Sequence, residues 1–245
     1  VGALYDNQNG FTASIDYYNF DFSDPIIVED QSSIVGAAVA ALAAGDLENP
    51  ILSRITFTDN NGDGINTADE IARIRTNGVD VRAEQVWDMN TSSFTLGGEA
   101  SYIIEYDVDD FDIEGVMIAG GDRVGQFNRS NFSRSLPQLK ANIFGNYELG
   151  DHNFRAVMRY MDAYDDERGD LTGNNTTEID SQTTFDLFYT WQSTAWDLDL
   201  GLSVVNVTDE DPPFAQFDLN YDPYTHNPFG RTFKISVTKR FGGSN

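Results

Sequence analysis

The sequence predicts an all-β fold, an antiparallel transmembrane β-barrel segment of about eight to nine strands with long extracellular loops. Apolar and polar residues alternate along most of the chain, the connections between these stretches are short and long in turn, and aromatic residues stand beside the short connections. Successive side chains of a strand point to opposite faces, so each stretch has one apolar and one polar face. Strands that are apolar outside and polar inside are typical of outer-membrane barrels.

The alternation gives the strands in order. Residues 1–5 are the end of a strand, and residues 6–10 form a polar turn that ends in Asn9-Gly10. Eight full strands are predicted at residues 11–22, 76–88, 93–106, 138–149, 152–162, 182–192, 196–206 and 231–241. In the last, Phe233 and Ile235 share the apolar face.

The polar faces favour a membrane barrel over a soluble β-sandwich. Val81 is expected to face outward between Asp80 and Arg82, and Tyr106 outward beside an inward Glu105. Charges of both signs in the middle of strands suit a wide aqueous lumen. A sandwich core would also place aromatic residues at alternate positions, and it remains the alternative.

The connections give an orientation. Placing Phe241 on the periplasmic side makes every short turn periplasmic and every long loop extracellular. A girdle of outward aromatic residues then lies at that side, where amphipathic rings favour the headgroup level. Its predicted members are Trp87, Phe94, Tyr147, Phe154, Trp191, Trp196 and Phe241.

Composition excludes several classes of protein. The formal net charge of −25 argues against a nucleic-acid partner. Without cysteine there is no disulfide framework and no thiolate chemistry. No run of about 18 apolar residues predicts a transmembrane helix. No signal peptide opens the chain, and Val1 begins within the alternating pattern, which suggests the C-terminal part of a longer protein.

Several motifs, in this order, resemble one family. The chain is similar to the C-terminal half of the barrel of a TonB-dependent outer-membrane receptor. The resemblance covers nearly the whole chain. The matching stretches are Ser23-Asp24-Pro25-Ile26, Thr76-Asn77-Gly78-Val79-Asp80, Asn206-Val207-Thr208-Asp209-Glu210-Asp211-Pro212-Pro213-Phe214, Asn227-Pro228-Phe229-Gly230-Arg231-Thr232-Phe233 and Lys239-Arg240-Phe241.

The resemblance implies a barrel of roughly 22 strands with a plug in its lumen. Such receptors bind a scarce nutrient outside a Gram-negative cell and import it with force transmitted through TonB. Residues 1–241 would be the C-terminal part of that barrel. The plug and the TonB-contacting segment lie N-terminal in the family and are absent from this chain, and residues 242–245 extend past the usual terminal aromatic residue.

A calcium loop is the sharpest local motif. It lies within residues 28–75, a predicted long extracellular loop, and has oxygen ligands at positions one, three and five, glycine at six and a carboxylate at twelve. The expected Ca²⁺ ligands are Asp59, Asn61, Asp63, the Ile65 carbonyl, Thr67 and Glu70. The apolar residue comes one place early, at Ile65. An Asn/Asp/Gly-rich surface loop without an ion is the alternative.

Three other loop segments allow two interpretations each. The Ala-rich stretch 34–47 is helix-prone, and a helix packed over the barrel rim is favoured over a lid or a subunit contact. The aromatic residues of the last loop favour packing at the rim over stacking on a ligand. Their candidate contacts are Phe217, Tyr221, Tyr224 and His226. The acidic segment 162–170 is a solvated loop or binds cations that bridge lipopolysaccharide.

The sequence therefore predicts a TonB-dependent importer and no enzyme, since no catalytic motif is present. Its expected partners are outer-membrane lipid and lipopolysaccharide, TonB through the plug, and a nutrient. The acidic loops favour neutral or cationic nutrients over bare anionic ones. A soluble calcium-binding adhesin or glycan-binding module and a passive porin-like channel are the alternatives.

Overall fold

Nine long antiparallel strands form one continuous sheet. The computed structural model describes residues 1–23, 26–28, 31–56, 64–65, 69–71, 73–113, 116–127, 135–166, 177–217 and 219–241. Each of the nine strands pairs with the next one along the chain, and the first and last are not paired with each other. The strands are β1 (Gly2–Asp6), β2 (Phe11–Phe22), β3 (Ile74–Met89), β4 (Ser92–Val108), β5 (Leu139–Leu149), β6 (His152–Met161), β7 (Gln182–Ser193), β8 (Leu198–Val205) and β9 (Thr232–Lys239). The sheet is therefore an open meander, and the prediction of a partial antiparallel barrel is confirmed.

Short and long connections alternate, as predicted. Two residues, Asn90 and Thr91, join β3 to β4, and Gly150 with Asp151 joins β5 to β6. Asn90 has φ 36° and Gly150 has φ 55°, the left-handed conformation that tight hairpin turns require. The long connections follow β2, β4, β6 and β8, so all four lie at the opposite end of the sheet. We call this the long-loop end.

The long connections contain short elements of their own. Their only α-helix in the described part of the chain, α1, spans Gln31–Ala43, and none of the described helices is long and apolar enough to span a membrane. A 3₁₀ helix follows at Pro50–Arg54. The short strands are Ile26–Val28, Ile55–Thr56, Gly64–Ile65, Asp69–Ile71, Phe111–Ile113, Val116–Ile118, Gly121–Asp122, Gln126–Phe127, Tyr164–Asp166 and Glu178–Ile179.

Helix α1 ends earlier than the helix-prone segment 34–47. Gly45 adopts φ 73°, and its N–H donates to the carbonyl of Leu42 while the N–H of Asp46 donates to that of Ala41. These two bonds form a Schellman motif, which satisfies the last carbonyls of a helix and stops it. Leu47 therefore lies outside the helix.

No second protein layer formed by the described residues covers the apolar face of the sheet. Phe185 is 41% exposed and Ile235 71% exposed, although both are large apolar residues of that face. The aromatic rings near the short turns share this face and contact one another: Trp87 and Phe94 stack at 5.5 Å between ring centroids. A soluble sandwich would bury these side chains, so the exposed face supports the barrel prediction.

Apart from Val157 in the middle of β6, the buried apolar side chains of the described core lie at the long-loop end, in two clusters. The first joins α1 to the sheet and contains Ile34, Ala38, Ala41, Ile51, Ile74 and Val108. The second joins three long connections and contains Phe127, Tyr164, Ile179 and Ala215, with Phe217 against it. Helix α1 thus packs on the rim of the sheet, where Ile74 begins β3 and Val108 ends β4.

A β-bulge corrects the predicted facing of two residues. The register of β3 and β4 shifts between Asn77 and Gly78, and Ile104 is the extra residue on β4. An extra residue inverts the alternation beyond it. Tyr106 therefore shares the polar face and packs against the first cluster, whereas Glu105 lies on the outer face and accepts a hydrogen bond from Asn77 Nδ2 at 2.6 Å. The predicted outward Tyr106 and inward Glu105 were wrong.

Candidate functional site

The polar face of the sheet carries a charged wall. Arg82 and Glu84 on β3 and Glu148 on β5 line an open cavity of about 720 Å³. Arg155 on β6 lies in the same wall, with its guanidinium carbon 4.2 Å from the centroid of the Phe144 ring. Mid-strand charges of both signs are what the sequence predicted for the lumen side.

A smaller cavity of about 310 Å³ lies nearer the long-loop end, and we call it the rim cavity. Strands β5, β6 and β7 form its wall, and the final connection, 206–231, covers part of it. This size is at the lower limit for small-molecule sites. Its polar and charged lining residues are Lys140, Asn142, Arg159, Tyr160, Gln182, Thr184, Asp186, Asn206, Thr225 and Asn227.

A buried carboxylate orients one cation of the rim cavity. Asp186 is 1% exposed, and its Oδ2 accepts from Arg159 Nε at 2.8 Å and lies 2.6 Å from Nη2. Its Oδ1 accepts from the Asn206 backbone N–H at 2.9 Å. Both oxygens of Asp186 are therefore occupied, while half of the Arg159 side chain stays exposed.

The second cation of the rim cavity is unpaired. Among the described residues, no carboxylate lies within ion-pairing distance of Lys140, and its ammonium group has no hydrogen-bond acceptor. Lys140 is exposed near the start of β5, at the long-loop end, and pairs in register with Met161 of β6. Its charge is therefore available to a group that enters the cavity.

A buried polar network fastens the final connection beside the rim cavity. Asp222 is fully buried, and its carboxylate accepts from Tyr164 Oη at 2.8 Å, from the Ser135 hydroxyl and from the Tyr224 N–H. His226 Nε2 lies 3.0 Å from Tyr164 Oη, and its Nδ1 lies 2.9 Å from Gln182 Oε1. The network therefore ties three long connections to the first residue of β7.

The titration of this network is shifted by burial. Burial, with the Asp222 carboxylate adding to it, raises the pKa of Tyr164 well above its usual range. Burial lowers the pKa of His226, with Asp222 opposing this effect and Lys140 adding to it. At neutral pH the network thus holds a neutral tyrosine and a neutral imidazole.

We expect acidification to loosen the final connection. The neutral His226 is favoured in the closed arrangement, whereas a detached loop has a histidine that takes up a proton near its ordinary pKa of about 6.5. Stability from this group is therefore present above that pH and is lost as the pH falls below it. The protection of residues 219–231 against hydrogen exchange, measured relative to the intrinsic exchange rate at each pH, should be lower at pH 5.5 than at pH 7.5. His226→Gln should abolish the pH dependence, and an unchanged dependence would contradict the expectation.

The predicted ligand contacts come together only in part. The ring centroids of Phe217 and Tyr224 are 6.1 Å apart, and they lie 5.9 Å and 6.5 Å from that of Phe127. Both rings therefore pack against Phe127 of the second cluster. His226 is 5% exposed and belongs to the polar network. Tyr221 is half-buried and belongs neither to the second cluster nor to the polar network.

The calcium motif falls largely outside the described residues. Asp59, Asn61, Asp63 and Thr67 are not among them, and of Ile65 and Glu70 only the backbone is described. Ile65 lies in a short strand paired with Ile55–Thr56, and Glu70 in one paired with Ile26–Val28. In the described part of the chain, no three His, Cys, Asp or Glu side chains form a group able to hold a metal ion.

Sequence reasoning missed the residues that build the rim cavity and its fastening. Lys140, Arg159 and Asp186 stand at polar positions of three separate strands, and Tyr164 and Asp222 stand in long connections. Their proximity depends on strand register, which the alternation does not give. The sequence signal that could have pointed to the cavity is the alternation, which puts the three strand residues on the polar face.

Comparisons with known proteins agree on the fold. The model of the TonB dependent receptor-like β-barrel family matches residues 1–207. A search of curated proteins finds no match. A mutant of the ferric enterobactin receptor PfeA from Pseudomonas aeruginosa has a TM-score of 0.54 at 16% identity, over 98% of this chain and 30% of that one. The copper transporter OprC has a TM-score of 0.53 at 17% identity, over 96% of this chain and 29% of that one.

These similarities differ in what they establish. The two solved structures are too distant in sequence to show more than the fold, and this chain spans only 30% and 29% of their lengths. The family match covers most of the chain and agrees with the open meander, the exposed apolar face and the charged inner wall. The chain belongs to the TonB-dependent receptor β-barrel family.

Proposed function

We propose that the chain is the C-terminal part of the barrel of an outer-membrane receptor that imports a scarce nutrient by TonB-dependent transport. The observation that carries the proposal is the position of the rim cavity. It lies on the polar face of a sheet whose other face is apolar and exposed, and the final connection partly covers it. A solute held there would enter the lumen without meeting lipid.

The proposed orientation places the short turns in the periplasm and the four long connections outside the cell. All four share one end of the sheet, as in outer-membrane barrels, whose long loops are extracellular. The outward aromatic rings near the short turns would then lie at the inner headgroup level. Phospholipid and lipopolysaccharide are the partners expected around the outer face.

The mechanism proposed is capture by the loops and the lumen wall, followed by movement of a plug driven through TonB. TonB would act on the plug and not on residues 1–245. The part of this chain is to form the wall, to hold the nutrient near its rim and to restrain the final connection through Asp222 and Tyr164. Nothing in this role requires bond-making chemistry, so transport and not catalysis is the proposed activity.

The test is uptake in cells that carry the full-length receptor. Growth on each limiting nutrient is compared among wild type, a strain without the receptor and a strain without TonB. We expect one nutrient whose uptake both deletions abolish. Uptake that needs the receptor but persists without TonB would support a passive porin-like channel. Recovery of the receptor in the soluble fraction would support the adhesin or glycan-binding module.

Calcium in the loop 59–70 remains a proposal. If Asp59, Asn61, Asp63, the Ile65 carbonyl, Thr67 and Glu70 bind Ca²⁺, removing the ion leaves the carboxylates of Asp59, Asp63 and Glu70 to repel one another, and the loop should loosen. We expect chelation to increase protease cleavage near residue 63 of the full-length receptor, and Asp63→Asn to cleave equally with and without chelator. Cleavage that chelation leaves unchanged in the wild type would contradict an ion site.

A further inference from the structure

The rim cavity differs in charge from the rest of the molecule. The chain has a formal net charge of −25, yet the charged residues that line the cavity, among those the structure describes, are Lys140, Arg159 and one carboxylate, Asp186. The Asp186 oxygens are already occupied by Arg159 and the Asn206 N–H. The local charge open to a solute is therefore positive.

The Asp186–Arg159 pair is arranged to present a cation. A buried ion pair contributes little to stability, because desolvation of both groups offsets their attraction. Here the carboxylate is buried and the guanidinium is half exposed. Nε and Nη2 bind Asp186, which fixes the guanidinium plane and leaves the remaining N–H groups beside the cavity. A guanidinium held in this way suits the planar oxygen pairs of carboxylates and phosphates.

Neutral donors complete the lining. Thr184 contributes a hydroxyl group that no described residue occupies. Asn227 uses its Oδ1 to accept the Phe229 N–H, which leaves its amide N–H groups free of partners among the described residues. Two cations and two neutral donors around a cavity of about 310 Å³ form a set with several donors and few free acceptors.

We propose that the rim cavity binds a carboxylate or phosphate group of the imported solute, with Lys140 and Arg159 as the charged contacts. The inference rests on the proposed function and specifies the nutrient as one that carries an oxyanion. It differs from the expectation drawn from the acidic loops, which favoured neutral or cationic nutrients. The described residues of the acidic segment, 162–166, do not line the cavity, and its described charged lining residues lie on strands β5, β6 and β7.

The test uses the full-length receptor in detergent, with radiolabelled citrate and inorganic phosphate as probes in equilibrium dialysis and maltose as the neutral comparison. Lys140→Met removes the unpaired charge but keeps the length of the side chain. Loss of a charge-assisted contact should weaken citrate binding about tenfold or more. Lys234→Met is the matched control, because Lys234 is an exposed lysine of β9 on the same face that does not line the cavity.

A second variant removes the other cation without leaving a buried charge. Arg159→Met combined with Asp186→Asn should also weaken citrate binding while the protein folds. Equal losses in Lys140→Met and Lys234→Met would show a general field effect and overturn the proposal. So would maltose binding as tight as citrate. Absence of citrate and phosphate binding to the wild type would also overturn the proposal.

This outcome is separable from the proposed function. A receptor whose nutrient uptake depends on TonB but which binds neither citrate nor phosphate keeps the transport assignment and loses the anion site. A receptor that binds both probes through Lys140 but shows no TonB dependence keeps the anion site and loses the transport assignment.

Discussion

Replacing Ile143 by arginine in the full-length receptor is expected to lower the free energy of unfolding in lipid by about 2–4 kcal/mol. Ile143 lies in the middle of β5, on the apolar face, and is 48% exposed. If acyl chains cover that face, the guanidinium enters the hydrocarbon region without a partner. The measurement is denaturant unfolding of the receptor reconstituted in lipid vesicles.

The matched control is Asn146→Arg. Asn146 lies three residues further along β5, on the polar face, where it donates to Glu148 Oε1. An arginine there meets carboxylates and polar groups, so a loss of less than about 1 kcal/mol is expected. A similar loss for Ile143→Arg and Asn146→Arg would contradict the assignment of the two faces.

Replacing Tyr164 by phenylalanine is expected to destabilise the closure of the final connection by about 1–3 kcal/mol, since buried polar partners are left without one of their hydrogen bonds. Asp222 Oδ2 would lose a donor, and His226 Nε2 would lose its partner. Hydrogen exchange should become faster throughout residues 219–231. The ring itself would stay in the second apolar cluster, so the fold should persist.

Tyr221→Phe is the control for this variant. Tyr221 lies in the same connection and is half-buried, but its hydroxyl has no partner among the described residues. Its replacement should leave hydrogen exchange unchanged. If Tyr164→Phe were as silent as Tyr221→Phe, the polar network would not be what fastens the final connection.

The strands could be predicted because the alternation of apolar and polar residues depends only on neighbours along the chain. Alternation along β2 gives residues 11–22 correctly, since each residue reports its own face. The family motifs near Asn206 and Asn227 also lie where the sequence placed them, at the end of β8 and before β9. These features need only neighbours along the chain.

The bulge and the rim cavity could not be predicted, because both depend on pairing between strands. A single extra residue, Ile104, reverses the face on which Tyr106 lies, and nothing in the residue types around it signals the bulge. Lys140 and Arg159 lie on the two strands of one hairpin, but Asp186 joins them only through the register of β6 with β7, which are separated by a long connection. His226 was one of four candidate ligand contacts in a loop expected to pack at the rim, and its burial against Tyr164 depends on long connections folding together.

The most direct test of the membrane assignment compares two consecutive residues of β8. Leu202 is on the apolar face and Ser203 on the polar face, and this chain has no cysteine to interfere with labelling. Nitroxide labels are attached at Leu202→Cys and at Ser203→Cys in the receptor embedded in vesicles. Their spin relaxation is measured with oxygen, which concentrates in lipid, and with a nickel complex, which stays in water. We predict that oxygen relaxes the label at 202 more than at 203 and that the nickel complex barely reaches 202. Ready access of the nickel complex to 202, or burial of that label in protein, would contradict the barrel assignment.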